Sequence, residues 1–412
     1  MENKKINYVL FLFVIIALLP YLYYSFTSSE SRVILWYGGV ITIFLFFLYA
    51  SLSLTKKVHK SILMKIFLGL IFVGSQYLAY FFTFSDNLIE PIFMILPAVY
   101  FLFYLAAFVL IPKIKIEKID FSLFFKLFVA FVLVASLYNM MINFNYMINV
   151  GNMAHRYVHL SSFFTHRNGF GQVLFMAIMA ITYLISNDKK VKKNYFILGL
   201  FLINLLFTFS RASILAVAVF FVLVYLKSEN RDPKNKVRNT GIIIVSSIIG
   251  LLIIINTPSL MNFLEYYVLR PDDGLTGRGN LWGAAWEILS QGGLIFGYGL
   301  GSAGEVLHNY NFTNTHNTFV EMLLTGGIVY LIIMMALYIK LYLQNRYLEK
   351  IDSKYKIFNA LLIAFLVYSI FEKVLLFETG YGPFIITILI VLIPTMIYHN
   401  QKREVEEHEK SA

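Results

Sequence analysis

Long apolar runs alternate with short polar connections along most of the chain. About 20 apolar residues rising 1.5 Å each cross a hydrocarbon core of about 30 Å, so these runs predict membrane-spanning helices. About twelve are expected, near 6–25, 33–54, 62–82, 92–111, 121–142, 169–186, 195–209, 211–227, 239–256, 317–339, 357–377 and 382–399. The stretch from Asn194 to Lys227 is too long for one ordinary span and is interrupted by Ser210-Arg211. An arginine at the bilayer centre costs roughly 2.5–3.5 kcal/mol on insertion scales, so two spans meeting at Arg211 remove most of that cost. The alternative is a single arginine snorkelling to lipid phosphate. Two polar connections stand out by length, 143–168 and 257–316, and long loops in compact proteins are usually functional or disordered. In the second, Leu281, Trp282, Ala285, Trp286, Ile288 and Leu289 recur at helical spacing and predict a short amphipathic helix at the membrane interface. A helix that merely shields the bundle would carry the same pattern. The expected fold class is therefore an all-α polytopic membrane protein with a large extracytoplasmic loop containing short helices. Its regions are N-terminal spans in 1–150, a central region in 151–345 holding both long loops, C-terminal spans in 346–399 and a charged tail at 400–412. The first span follows Lys4 and Lys5, lacks a small-residue cleavage site and reads as a retained signal anchor.

Composition agrees: 59% of residues are hydrophobic, 14% are charged and the mean hydropathy is +0.71, which excludes an ordinary soluble domain. Charge adds the orientation. One set of connections, from Lys4 and Lys5 to Lys402, Arg403 and Lys410, carries 25 lysines and arginines. The opposite set carries Arg32, Arg156, Arg167, Arg211, Arg270 and Arg278. The positive-inside rule makes the first face cytoplasmic, with both termini on it. The net charge of +11 is spread over these cytoplasmic segments, where insertion bias and anionic lipid account for it, so nucleic acid is not an expected partner. With no cysteine in the chain, disulfides, thiol catalysis and thiolate metal sites are excluded.

The outward connections hold the candidate chemistry. Thr276-Gly277-Arg278 precedes Leu281-Trp282, and Gly297-Tyr298-Gly299 follows. Arginine grips phosphate oxygens with a planar fork of donors and stays charged, and glycines let backbone amides approach an anion. A glycine-rich turn closing an interfacial helix is as good a reading of Gly297–Gly301, and no strand precedes it as a nucleotide fingerprint requires. His316-Asn317 stands where the loop re-enters the membrane, with Glu321 a turn further and Gly326-Gly327 beyond. Asn314 and Thr315 are expected to cap that helix. His316 could be an interfacial hydrogen-bonding residue, but it shares a membrane level with Glu321, Arg278 and Arg211, and an imidazole there can exchange a proton. His155, His159 and His166 lie in a loop without Asp, Glu or Cys, which gives little support for a metal. No cofactor or metal is expected.

Thr165-His166-Arg167-Asn168-Gly169, Ser210-Arg211, Thr276-Gly277-Arg278 with Leu281-Trp282, Gly297-Tyr298-Gly299, and His316-Asn317 with Glu321 and Gly327 occur in an order that resembles the O-antigen ligase and polymerase family of bacterial envelope enzymes. The resemblance is strongest over roughly 160–345, and the first 150 residues match only as hydrophobic spans. It implies a GT-C-like fold and a metal-independent, inverting glycosyltransferase on the outer face of the bacterial cytoplasmic membrane, with a polyprenyl-diphosphate-linked glycan as donor. By carry-over, Arg211 and Arg278 would hold the diphosphate and His316 would orient or deprotonate the acceptor hydroxyl. His166, Arg167, Asn168, Ser210, Trp282, Tyr298, Asn317 and Glu321 would contact substrate. The loop aromatics, including Trp286 and Tyr310, read equally well as interfacial anchors. The chemistry is coherent: negative charge grows on the departing diphosphate just above the hydrocarbon, where preplaced arginines stabilise it.

Two activities share this apparatus. A polymerase joins lipid-linked repeat units, while a ligase transfers a finished glycan to a different acceptor. The richness in lysine, asparagine and isoleucine favours a capsule- or exopolysaccharide-type polymerase, with membrane lipid and a chain-length regulator as partners. A lipid-linked oligosaccharide or solute transporter is the reading from another class. Twelve-span transporters commonly have two similar halves joined by a cytoplasmic connection, whereas the dominant connection here is external and the polar residues lie near the surface.

Overall fold

The computed structural model describes residues 60–83, 91–105, 109, 121–148, 160–187, 191–227, 275–376 and 385–411, apart from Thr165 and Thr313. Each expected span that falls on them is a helix: α1 (Lys60–Thr83), α2 (Pro91–Leu105), α3 (Ser122–Ile148), α4 (Arg167–Asn187), α5 (Val191–Phe207), α6 (Arg211–Leu226), α9 (Thr318–Ile351), α10 (Lys356–Phe371) and α11 (Ile393–Ser411). Between α6 and α9 lie two shorter helices, α7 (Leu275–Ile288) and α8 (Ala303–His308). No strand occurs among the described residues. Among the described residues six helices are long and apolar enough to cross a membrane, while α2, α5 and α6 have 15, 17 and 16 residues. The spans expected at 6–25, 33–54 and 239–256, and the loop residues His155 and His159, lie outside the described residues.

Burial sorts the helices. In α4, 78% of the apolar window is inside the protein, against 22% in α1. Phe170 and Phe175 of α4 are buried with Phe125, Phe201, Phe220 and Phe358 of its neighbours. On α1, Leu63, Phe67 and Phe81 are exposed, the surface a helix presents to lipid. The break between α5 and α6 is where the charge argument expects it. Helix α5 ends at Phe207, Phe209 takes a left-handed turn at φ 50°, and Arg211 opens α6.

Polar side chains pin each end of the bundle. Asn139 donates to Asn204 at 3.0 Å and Asn143 donates to Asn139 at 2.8 Å. The same Asn139 carboxamide oxygen accepts the Ser162 N–H at 3.0 Å. This buried network joins α3 to α5 and fastens the segment leading into α4. At the other end Lys227 meets Glu349 at 2.8 Å, and Asn359 donates to that carboxylate at 3.0 Å, tying α6, α9 and α10 together.

The sequence reads 317–339 as one span; the helix instead runs 34 residues and is broken near its N-terminal end. Gly327 sits at φ 62°, ψ −165°, which stops the regular hydrogen-bond ladder. Residues Leu294–Gly299 cross the break and replace the lost bonds. The Tyr298 and Gly299 N–H groups donate to the Leu324 and Thr325 carbonyls at 2.8 Å, and the Ile328 N–H donates to Leu294 at 2.9 Å. Gly297, at φ 69°, lies so close to the Thr325–Gly327 backbone that no Cβ fits. The short N-terminal half-helix, Thr318–Gly326, joins α7 and α8 around a second small core of Leu281, Ala285, Leu289, Leu307 and Leu324. The amphipathic helix expected in the large loop is therefore present as α7, with Leu281, Ala285 and Ile288 inside. Trp286, expected on its apolar face, is 62% exposed.

Candidate functional site

The site forms where three helix termini meet the loop unit. His316 is held in a left-handed conformation, φ 46°, by a turn in which the Asn314 side chain accepts the His316 N–H at 3.0 Å. Asn317 is the actual cap of α9: its Oδ1 accepts the N–H groups of Phe319 and Val320 at 2.8 and 3.1 Å. The capping expected of Asn314 and Thr315 is corrected accordingly, because the helix starts at Thr318 and Asn317, in extended backbone, immediately precedes it. Trp282 of α7 donates its indole N–H to the Thr315 carbonyl at 3.1 Å, fixing the turn from the loop side.

Thr318 supplies the link that sequence reading missed. Its hydroxyl donates to the Glu372 carbonyl at 2.9 Å, and the same oxygen accepts the Val374 N–H at 2.9 Å. Helix α10 ends at Phe371, so Glu372 leaves it in extended backbone with its carboxylate turned toward three of the expected site residues. Asn168 donates to Glu372 Oε1 at 2.8 Å. The Arg278 guanidinium lies 3.8 Å from Oε1, and His316 Nδ1 lies 3.5 Å from Oε2. Glu372 is 13% exposed, Arg278 23% and His316 43%. Because His316 Nδ1 itself is enclosed, the accessible part of the ring is the far edge that carries Nε2. Residues 168, 278, 316 and 372 thus meet around one carboxylate.

Arg211 and Ser210 approach the same end from α6. Ser210 and Ser213 share a hydrogen bond at 2.9 Å and press against Gly171, one turn into α4 beyond Asn168. Ser213 is hydrogen-bonded to Tyr368, one turn before Glu372. Arg211, first residue of α6, is exposed there, and Arg167, first residue of α4, is half-buried. His166 serves as a cap, its Nδ1 accepting the Asn168 N–H at 3.1 Å, with the rest of the side chain exposed.

Other expected contacts turn inward. Glu321 is fully buried, receives Thr315 Oγ1 at 3.0 Å and has Lys373 Nζ 2.9 Å from its other oxygen. Tyr298 donates its hydroxyl to the Ile288 carbonyl at 2.6 Å, with its ring over Gly293. Burial raises that phenol above its ordinary value, against the lowering effect of a backbone hydrogen bond at Gly293. The amides of Tyr298 and Gly299 are spent on the broken helix, which decides for the turn over the anion cradle at this motif. Glu372 and Lys373 escaped the sequence reading because they were counted inside an apolar run at 357–377. The signal was present: two adjacent charges in a span are costly, and they mark the helix end.

Among the described residues no three His, Asp or Glu side chains gather as metal ligands do. A partly exposed guanidinium and an imidazole around a carboxylate can bind an anion and move a proton. Comparison with known proteins adds the family. No curated protein gives a match. Residues 196–335 match the family model described as O-antigen ligase, a stretch containing Arg211, Arg278 and His316 but not Glu372. Over that segment, about a third of its length, the chain is similar to the O-antigen ligase family.

Proposed function

We propose that the protein is a metal-independent, inverting glycosyltransferase that polymerises polyprenyl-diphosphate-linked repeat units on the outer face of the bacterial cytoplasmic membrane. One observation carries this reading: Asn168, Arg278 and His316, drawn from separate parts of the chain, meet at Glu372. They do so at the end of the bundle opposite the Lys227–Glu349 pair. In the proposed reaction an acceptor hydroxyl attacks the anomeric carbon, a C–O bond forms, and the bond to the diphosphate breaks. The proton passes to His316, whose ring Glu372 orients through Nδ1 so that Nε2 faces the acceptor. The electron pair leaves with the diphosphate, whose charge Arg278 and Arg211 receive as it grows. Arg167 adds a further cation beside them. The description of the matched family keeps the ligase reading alongside, with the same chemistry and a different acceptor.

The test is incubation of the purified chain with a single lipid-linked repeat unit. A ladder of longer glycans supports polymerisation; transfer only to an added, different acceptor supports ligation. Arg278→Lys keeps a charge but loses the two-pronged donor set, so product should fall at least tenfold at normal protein level. Activity should survive EDTA, and loss restored by one specific metal would overturn the mechanism.

A further inference from the structure

Beginning beside the break in α9 and running away from Glu372, a cavity of about 440 Å³ opens between α1, α2 and α9. Its walls are apolar along most of their length, with Phe72, Phe101, Val329 and Met334 among them, and Lys65 and Lys340 stand at one end. A second cavity of about 580 Å³ continues from that end, lined by Lys65, Lys340, Lys402, Gln344, Tyr347 and His399. The first cavity follows α9 from Val329 to Lys340. Eleven residues at 1.5 Å each make about 16 Å, close to half of a hydrocarbon core of about 30 Å. The groove therefore has the length of one acyl chain in one leaflet and ends in three lysines from α1, α9 and α11.

We propose that this pair of cavities is a binding site for an anionic phospholipid of the leaflet at the basic end of the bundle. An acyl chain lies in the α1–α2–α9 groove, and the phosphate meets Lys65, Lys340 and Lys402. Charge complementarity selects the occupant. A zwitterionic lipid fits the groove but brings a compensating ammonium to the lysines, and basic pockets between membrane helices select anionic headgroups. A polyprenyl chain, several times longer than one leaflet is deep, exceeds the groove, and in the proposed reaction its diphosphate sits at Arg278 and Arg211 rather than at Lys340. The site is independent of the proposed glycosyl transfer. Its lining begins at Phe296 and Val329, just past the break in α9, and contains none of Asn168, Arg278, His316 and Glu372.

The experiment uses the purified full-length chain in detergent, with thermal unfolding and native mass spectrometry as readouts. Dioleoyl phosphatidylglycerol should raise the melting temperature and survive as a bound adduct, while dioleoyl phosphatidylcholine should do neither at equal concentration. Lys340→Gln should weaken phosphatidylglycerol binding about fivefold, and the Lys65→Gln/Lys340→Gln pair about twenty-fivefold, on the order of one interfacial lysine each. Lys340→Arg should bind as the wild type does, which separates charge from misfolding. Lipid-free Lys340→Gln should elute at the wild-type position in size-exclusion chromatography. Glycerol 1-phosphate, a headgroup without chains, should give no shift. Equal binding of the two lipids, unchanged binding by the double variant, or an equal shift from glycerol 1-phosphate overturns the proposal.

Discussion

Gly327→Ala tests whether the break in α9 is built into the fold. The residue occupies φ 62°, ψ −165°, a region open essentially to glycine alone, and holding another residue there costs about 1–3 kcal/mol. The new Cβ would also fall 2.1 Å from the Ile295 carbonyl oxygen. That neighbour is backbone, and moving it disturbs the bonds that carry Ile328 to Leu294 at 2.9 Å and Val329 to Ile295 at 3.3 Å. Each such bond contributes about 0.5–1.5 kcal/mol net, so the substitution should destabilise the protein by about 2–6 kcal/mol. At roughly 1 °C per kcal/mol, from about 2.1 cal/mol/K of unfolding entropy per residue over 412 residues, the melting temperature of the purified protein should fall by about 2–7 °C. Activity should fall further, because the half-helix before the break carries Asn317 and His316. Gly279→Ala is the control: its Cβ meets nothing within 4 Å. A Gly327→Ala protein that melts and turns over like the wild type would refute the reasoning.

Glu372→Gln keeps an oxygen for Asn168 but removes the charge facing Arg278 and His316, so turnover should drop on the order of a hundredfold with the fold intact by size-exclusion chromatography; near-normal turnover would remove Glu372 from the mechanism. Glu321→Gln leaves Lys373 beside a neutral group and should cost roughly 1–3 kcal/mol, at the low end because Lys373 reaches solvent. Thermal unfolding should show that loss while donor affinity stays within about twofold, an order-of-magnitude expectation for a side chain that touches no substrate; a selective loss of affinity would restore Glu321 as a contact. For topology, Ser290→Cys, exposed in the loop unit, should react with a membrane-impermeant thiol reagent on intact cells, and Glu406→Cys in the tail should not. Reversed labelling would place the site on the cytoplasmic side.

Much was legible in the sequence because a bilayer imposes strong local rules. Apolar runs fix where helices form, and the cost of a buried cation split the stretch from Asn194 to Lys227 at Arg211, where the structure turns. The lysine-rich and arginine-bearing connections separated the two ends of the bundle, although the structure adds Lys373 to the arginine end, and short polar motifs marked the end that holds the candidate site. Other features depend on pairings between residues far apart in the chain. Gly297-Tyr298-Gly299 looks like an anion cradle or a turn until Leu324 and Thr325 are seen to take its amides. Glu321 looks like a contact until Lys373 reaches it in the interior. Glu372 draws no notice at the end of an apolar run, yet Thr318 holds its backbone and Asn168, Arg278 and His316 surround its carboxylate. Periodicity and charge count act along the chain and can be read from it; whether a polar group is spent inside or left for a substrate depends on which distant partner packing delivers, and only the tertiary structure decides that.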